Sequence, residues 1–243
     1  MSDKKTVAII QARHTSTRLP GKCILPLAGK PVIEHIIDRM VAIPEIDAVC
    51  VAIPEGEQQA PLARTIENLE KASLSRGPDD DILKRYAIAA ELMDADIIVR
   101  LCADCPALDP AAVSRMLTIH NEDRSVCTIL GIDSGYPWGF ECHAINRKAL
   151  VLADQEAIDF ECREDIHPYF RLYPERFPII RAYRDDGLQN NLELLLDTQE
   201  DYERLQTIFN QLYPASPVFG MSEIDDLYRT SPALFKLKDE SNL

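Results

Sequence analysis

Three short stretches of this sequence collect the residue types that handle phosphate and metal ions. The first is QARHTSTRLPGK at residues 11–22, which combines hydroxyls, a glycine and three cations. Arg13 and Arg18 can each fork onto two phosphate oxygens, and Lys22 adds a point charge. The glycine spacings of a Walker loop and of a dinucleotide fingerprint are both absent, so a phosphate chain would be wrapped in another way. A solvated basic loop is the plain alternative. Against it, residues 4–33 hold six basic residues and no acid, in a chain where Asp and Glu outnumber Lys and Arg by 40 to 26.

The second stretch is RLCADCPALDP, residues 100–110. Asp104 follows an apolar run, where a carboxylate can hold a divalent cation at a sheet edge. Asp109, just before Pro110, reads instead as a helix N-cap. Cys102 and Cys105 form a C-x-x-C with no second pair and no histidine at finger spacing, which argues for apolar packing rather than zinc. The third stretch is NLELLLDTQEDYERL, residues 191–205. Asp197 with Glu200 matches a capping box. Paired with Asp104 it reads differently, as one of two carboxylates near a cationic loop, which a magnesium–nucleotide site needs.

A fourth group is looser: GYPWGFECHAI at 135–145 and REDIHPYF at 163–170. Trp138, the sole tryptophan, could sit in the core or at a pocket mouth. His143 and His167 could be general bases or satisfied structural groups. Glu141, Arg163 and Glu164 could equally be surface ion pairs, each worth little alone.

Alternating strands and helices must position these residues. KTVAIIQ (5–11), DAVCVAI (47–53) and DIIVRLC (96–102) read as buried strands. Between them, Ile33, Ile36, Ile37 and Met40 mark one helix, and Leu62, Ile66 and Leu69 a second. A third starts at Asp79-Asp80-Asp81 with Ile82, Leu83 and Tyr86 on its inner side, and Pro110 opens a fourth. This βαβ rhythm predicts an α/β fold, a mostly parallel sheet with helices on both faces. After residue 124 the pattern loosens into strand candidates at 125–132, 136–145, 177–183 and 192–196. One or two helices fall in 146–172, and 198–212 reads as the final helix. Residues 130–185 are the candidate β/α arm on what otherwise reads as a single domain, 1–243.

The 243 residues are 46% apolar and 27% charged, as in ordinary globular proteins, with a net charge of −14. That balance argues against a broad nucleic-acid or anionic-membrane surface. With the local cationic loop, it points to one small polyanion as ligand. Seven cysteines, an odd number, without a basic-then-apolar leader fit reduced thiols in a cytoplasm. The longest uncharged stretch, 205–222, contains Pro214 and Pro217 and reads as no membrane span.

Taken together, QARHTSTRLPGK, GPDDDILKRY, RLCADCPALDP and LLLDTQEDYERL resemble the cytidylyltransferase family that activates acidic sugars, nearest its spore coat polysaccharide branch. The match runs in the family's order from about residue 6 to 205. It implies a Rossmann-like nucleotide-diphospho-sugar transferase fold, CTP as donor, Mg2+, pyrophosphate release and a homodimer built through the middle segment. Arg13 and Lys22 match the family's triphosphate contacts, with Ala12 and Arg18 close by, and Asp104 and Asp197 match its metal-binding aspartates. Arg13, Lys22 and Asp104 would thus be catalytic. Arg76 and Gly77 fall where the nucleotide is usually bordered.

The sequence also departs from that pattern. Trp138 stands where relatives commonly carry Asp, and Glu141-Cys142-His143 replaces an Asp-x-Glu. Arg163-Glu164-Asp165, with His167, replaces Arg-Glu-His before Thr. Those positions border the acceptor side, so Trp138, Glu141, His143, Arg163, Glu164 and His167 are the candidates to bind the acceptor. Its identity stays open among a nonulosonic acid, another acidic sugar and a smaller phosphorylated or phosphonate-like acid. Two other classes remain: a glycosyltransferase of related fold using the Asp-x-Asp in Asp79-Asp80-Asp81, and a catalytically silent nucleotide-binding relative.

Overall fold

The computed structural model describes residues 4–122, 125–184 and 191–238. Strand and helix alternate as the apolar runs dictate. β1 (Thr6–Gln11) leads through a small ribbon, β2 (Pro26–Leu27) and β3 (Lys30–Pro31), into α1 (Val32–Val41). Then come β4 (Ala48–Pro54), α2 (Ala60–Leu69), β5 (Ser73–Gly77), α3 (Ile82–Leu92), β6 (Ile97–Cys102) and α4 (Pro110–Glu122). The later part holds β7 (Cys127–Leu130), β8 (Cys142–Asn146), α5 (Arg147–Glu156), α6 (Phe160–Glu164), α7 (His167–Leu172) and β9 (Ile179–Arg181). It closes with α8 (Gln199–Leu212) and α9 (Met221–Thr230).

Seven strands form one sheet in the order β5-β4-β1-β6-β8-β7-β9. Pairings among β5, β4, β1 and β6 are parallel, and β8 alone runs against its neighbours. The sheet is mostly parallel with helices on both faces, as the βαβ rhythm predicts. Alternation along β1 shows how. Ala8 and Ile10 pack with apolar residues of α1, α2, α4, α8 and α9, whereas Val7 and Ile9 pack with those of α3, α5 and α7. A strand buried on both faces reads as an unbroken apolar run, which is why KTVAIIQ is so legible.

Several expectations need correction. β5 goes unpredicted because SLSRG has little apolar signal; it is held as an edge strand by pairing with β4. The strand read at 136–145 is confined to β8, since Gly135 and Gly139 take positive φ and bend the preceding segment. Residues 192–196 are extended but form no strand of the sheet; single bridges join Trp138 to Glu193 and Leu192 to Leu237. The helix at 198–212 is not the last, because α9 follows it. In the 130–185 stretch, β8 and β9 join the main sheet on either side of β7, and position 185 lies outside the described residues.

Candidate active site

β1 ends at the middle of the sheet, between β4 and β6, and the basic loop leaves from there. Ala12 is buried, and its N–H donates to Ala52 O at 3.2 Å, so a small residue lets the loop start flush against β4. The fully buried Gln59 carboxamide accepts from His14 N at 2.7 Å and donates to Thr15 Oγ1 at 3.3 Å. Nothing in the sequence singled out Gln59; its role depends on α2 docking under the loop. Gly21, with φ +70°, donates from N to His14 O at 2.9 Å and closes the loop. That left-handed conformation suits glycine, which has no Cβ to clash. The chain then enters a short helical turn at Lys22–Ile24 that carries Lys22 inward.

Asp104 and Asp197 arrive from opposite directions. Asp104 follows β6, with Ala103 N donating to Gln11 O at 2.8 Å. Asp197 ends the extended segment in which Leu192, Leu194 and Leu196 are buried. That segment is stitched to the Pro-Trp-Gly turn: Trp138 N donates to Leu192 O at 3.0 Å and Leu194 N to Trp138 O at 2.8 Å. Leu196 N then donates to Asp104 O at 2.8 Å, which brings the two aspartates together. The cap of α8 lies one residue beyond the pairing read from the sequence. Thr198 and Asp201 form the capping box; Asp197 adds only its backbone N–H, donated to Asp201 Oδ2 at 3.2 Å, and its side chain stays outside the box.

Lys22 Nζ lies between the two carboxylates, 3.3 Å from Asp104 Oδ2 and 3.4 Å from Asp197 Oδ1, and donates to Leu196 O at 2.8 Å. Arg18 Nη1 contacts Asp197 Oδ2 at 2.6 Å. The paired acids therefore already gather positive charge. Among the described residues, no set of three or more His, Cys, Asp or Glu is placed to cage an ion. Two carboxylates fit Mg2+, which is commonly held by one or two carboxylates plus substrate phosphates.

These residues line a cleft of about 320 Å3 together with Ala12, Arg13, Cys102, Asp79, Arg85 and Glu164. Four cations (Arg13, Arg18, Lys22, Arg85) meet four acids (Asp79, Asp104, Glu164, Asp197), so the cleft is near charge balance rather than cationic. Arg85 lines the cleft although the sequence patterns did not single it out. It is buried, donates to Pro78 O at 3.0 Å and Asp79 O at 2.7 Å, and burial lowers its proton affinity. Its arginine in GPDDDILKRY was the available signal. Arg76 is exposed on β5 and does not line the cleft. Gly77 acts indirectly: a Cβ there would lie 3.2 Å from Arg85 Cγ, so the glycine admits α3 and Arg85. Burial pushes the Cys23 thiol up to about 11 and Cys102 up to about 12, and Cys105 is also raised, so these thiols stay protonated and pack.

Of the acceptor-side candidates only Glu164 lines the cleft. Arg163 is a clamp: its guanidinium meets Asp81 at 2.5 Å and Asp154 at 2.9 Å, tying α6 to α3 and α5. Asp165 meets Arg100 Nη2 at 3.0 Å, so Glu164 is held between two pinned neighbours. The rings of His143 and His167 meet with centroids 5.0 Å apart and planes tilted by 49°, and His143 pairs with Arg100 across β6 and β8. Burial holds both rings neutral, His143 well below its usual range and His167 at about 4, with Arg100 and Arg171 adding to the effect. Glu141 accepts from Gly139 N at 2.9 Å, and burial, with Asp104 nearby, raises its carboxyl. Trp138 does not line the cleft; its ring lies under Lys238 Nζ at 3.2 Å.

A family profile described as cytidylyltransferase matches residues 7–227. The chain is 24% identical to the spore coat polysaccharide biosynthesis protein SpsF of Bacillus subtilis, over 92% of this chain and 94% of that one. It is 28% identical to the 3-deoxy-manno-octulosonate cytidylyltransferase of Escherichia coli, over 84% and 82%. A cytidylyltransferase structure from Leptospira borgpetersenii superposes with a TM-score of 0.87 at 26% identity, covering 97% of this chain and 98% of the other. CMP:2-keto-3-deoxy-manno-octonic acid synthetase, solved with CTP, shares the fold at a TM-score of 0.66 and 20% identity, over 85% and 99%.

Proposed function

The chain belongs to the cytidylyltransferase family, a CTP-using nucleotidyltransferase by descent, and from that premise we propose that it transfers CMP to a small acidic acceptor with release of pyrophosphate, using Mg2+. The observation that carries this reading is the meeting of Asp104 and Asp197 around Lys22, with Arg18 alongside, at the carboxyl ends of β1 and β6. Ligands of open α/β sheets bind at that edge.

An acceptor oxygen attacks the α-phosphorus, and the bond to the departing pyrophosphate breaks. Catalysis is positioning and charge stabilisation. Arg13, Arg18, Lys22 and Arg85 face the phosphates and take up charge as pyrophosphate leaves; one such preorganised donor is worth about 3 kcal/mol. Mg2+, held by Asp104 and Asp197, would supply positive charge across phosphate oxygens. The balanced cleft supports that need, since four acids offset its four cations before a triphosphate arrives. Glu164 lines the same cleft and is the acceptor-side candidate that can face the acceptor, with Arg163 and Asp165 pinned on either side of it. Asp81 caps α3 and is held by Arg163, which leaves only Asp79 of the Asp-x-Asp in the cleft.

The acceptor is an acidic sugar or related acid of cell-surface polysaccharide synthesis, a reading supported by the names of the relatives. No described helix is long and apolar enough to cross a membrane, and a cytoplasmic homodimer fits this role. The exposed Ile158, Phe160, Leu172 and Tyr173 in the 130–185 segment support self-association there.

A pyrophosphate-release assay with CTP, Mg2+ and a panel of acids, 3-deoxy-manno-octulosonate first, tests the proposal. Release is expected with one acid of the panel, and Asp104→Asn is expected to reduce it by at least about a hundredfold. Near-normal turnover in that variant would remove the metal assignment. Nucleoside diphosphate formed from a nucleotide sugar, with no pyrophosphate from CTP, would favour a glycosyltransferase.

A further inference from the structure

Lys22 does more than face a phosphate. Its ammonium sits on a residue only 9% exposed and is shared by both aspartates, while Arg18 takes the second oxygen of Asp197. Three of the four carboxylate oxygens thus face a cation of the protein, and the fourth, Asp104 Oδ1, faces Cys105 Sγ at 3.6 Å. The site is satisfied from within. A divalent ion placed about 2.1 Å from an oxygen of each carboxylate would crowd the Lys22 ammonium, and like charges that close repel.

We propose that Lys22, assisted by Arg18, is the resident counter-ion of the Asp104–Asp197 pair, so that a divalent cation enters together with the triphosphate and not before it. The proposal rests on the reading of this pair as the metal site. Its physical basis is an exchange of partners. A metal ion arriving alone would leave Lys22 and Arg18 without acceptors and beside added positive charge. A triphosphate arriving alone would draw the two cations away and leave bare carboxylates beside its own negative charge. When both arrive, each N–H to carboxylate bond becomes one to phosphate, and the carboxylates turn to the metal. Nucleotide and metal are therefore coupled, and the factor by which one raises the affinity for the other is the same in both directions. Leu196 O, the third partner of Lys22, lies next to Asp197, so release of the ammonium also removes one hydrogen bond from the backbone beside the second aspartate.

Direct Mn2+ binding, read by electron paramagnetic resonance of the free ion and by water-proton relaxation, tests this on the whole chain. Without nucleotide, the native protein is expected to hold Mn2+ weakly. Lys22→Met is expected to hold it at least about tenfold more tightly, and that gain should vanish when Asp104→Asn is added. Arg18→Gln changes a side chain 69% exposed, so it serves even if Lys22→Met fails to give a native circular dichroism spectrum. A gain of roughly threefold is expected for it. With CTP, the native protein should give a relaxation enhancement above that of Mn2+–CTP alone, lost in Asp104→Asn. If the nucleotide-free native protein binds Mn2+ as tightly as the folded variants, the counter-ion role is overturned while the metal site stands. If no Asp104-dependent complex forms even with CTP, the metal site fails and the proposal with it.

Discussion

Asp197 owes its freedom to a shift of one residue. Sequence spacing pairs it with Glu200 as a cap, whereas Thr198 and Asp201 share that duty and leave the Asp197 side chain to Lys22 and Arg18. Both registers satisfy the pattern of a short polar residue followed three later by an acid, so pattern alone could not choose between them. Thr198→Ala is expected to cost about 1 kcal/mol in a urea unfolding curve. Glu200→Ala, on a side chain 77% exposed, should stay within about 0.5 kcal/mol. Equal losses would restore the cap read from the sequence. Glu164 offers a second test at this scale. Its carboxylate lines the cleft proposed to take the triphosphate, so Glu164→Gln should tighten CTP binding by roughly two- to fivefold in calorimetry. Weaker binding would place Glu164 on the donor side.

At the scale of elements, the decisive join is between the Pro-Trp-Gly turn and the segment that delivers Asp197. Gly139 has φ +95°, and a Cβ there would stand 2.6 Å from the carbonyl carbon of Leu194. Backbone passes so close that only glycine fits. Gly139→Ala is expected to lower stability by about 1–3 kcal/mol and to weaken CTP binding, because the displaced segment carries Asp197. Trp138, the sole tryptophan, is the adjacent residue, so its emission should shift in the same variant. Unchanged emission with unchanged CTP affinity would separate the turn from the site. The local signal for this join was the Pro-Trp-Gly irregularity itself, but what it touches, 54 residues or more further along the chain, is set by packing.

Across the whole molecule, four of the five histidines have their proton affinity lowered by burial: His35, His120 and His143, which are buried, and His167, which is half-buried. In the unfolded chain each takes up a proton near the ordinary value of 6.5, while His167 in the folded protein does so only near 4. The unfolded state therefore binds more protons across that window, and stability falls as pH is lowered from about 6.5 to about 4. Thermal melts from pH 7.5 to 4.5 should show a midpoint that drops below pH 6.5, with a shallower drop in His167→Gln; a flat profile would contradict the buried neutral rings. The sequence by itself determined the α/β class, the position of the basic loop after the first strand, and Asp104 and Asp197 as candidates beside it. Apolar runs buried on both faces and a loop emptied of acids are local signals, written in consecutive residues. Only the tertiary structure decided that Arg163 is a clamp, that Arg85 and Glu164 enter the cleft while Arg76 does not, and that Lys22 stands between Asp104 and Asp197. Each of those depends on which side chains from distant segments meet at one sheet edge, and charge pairing across such distances leaves no periodicity in the chain.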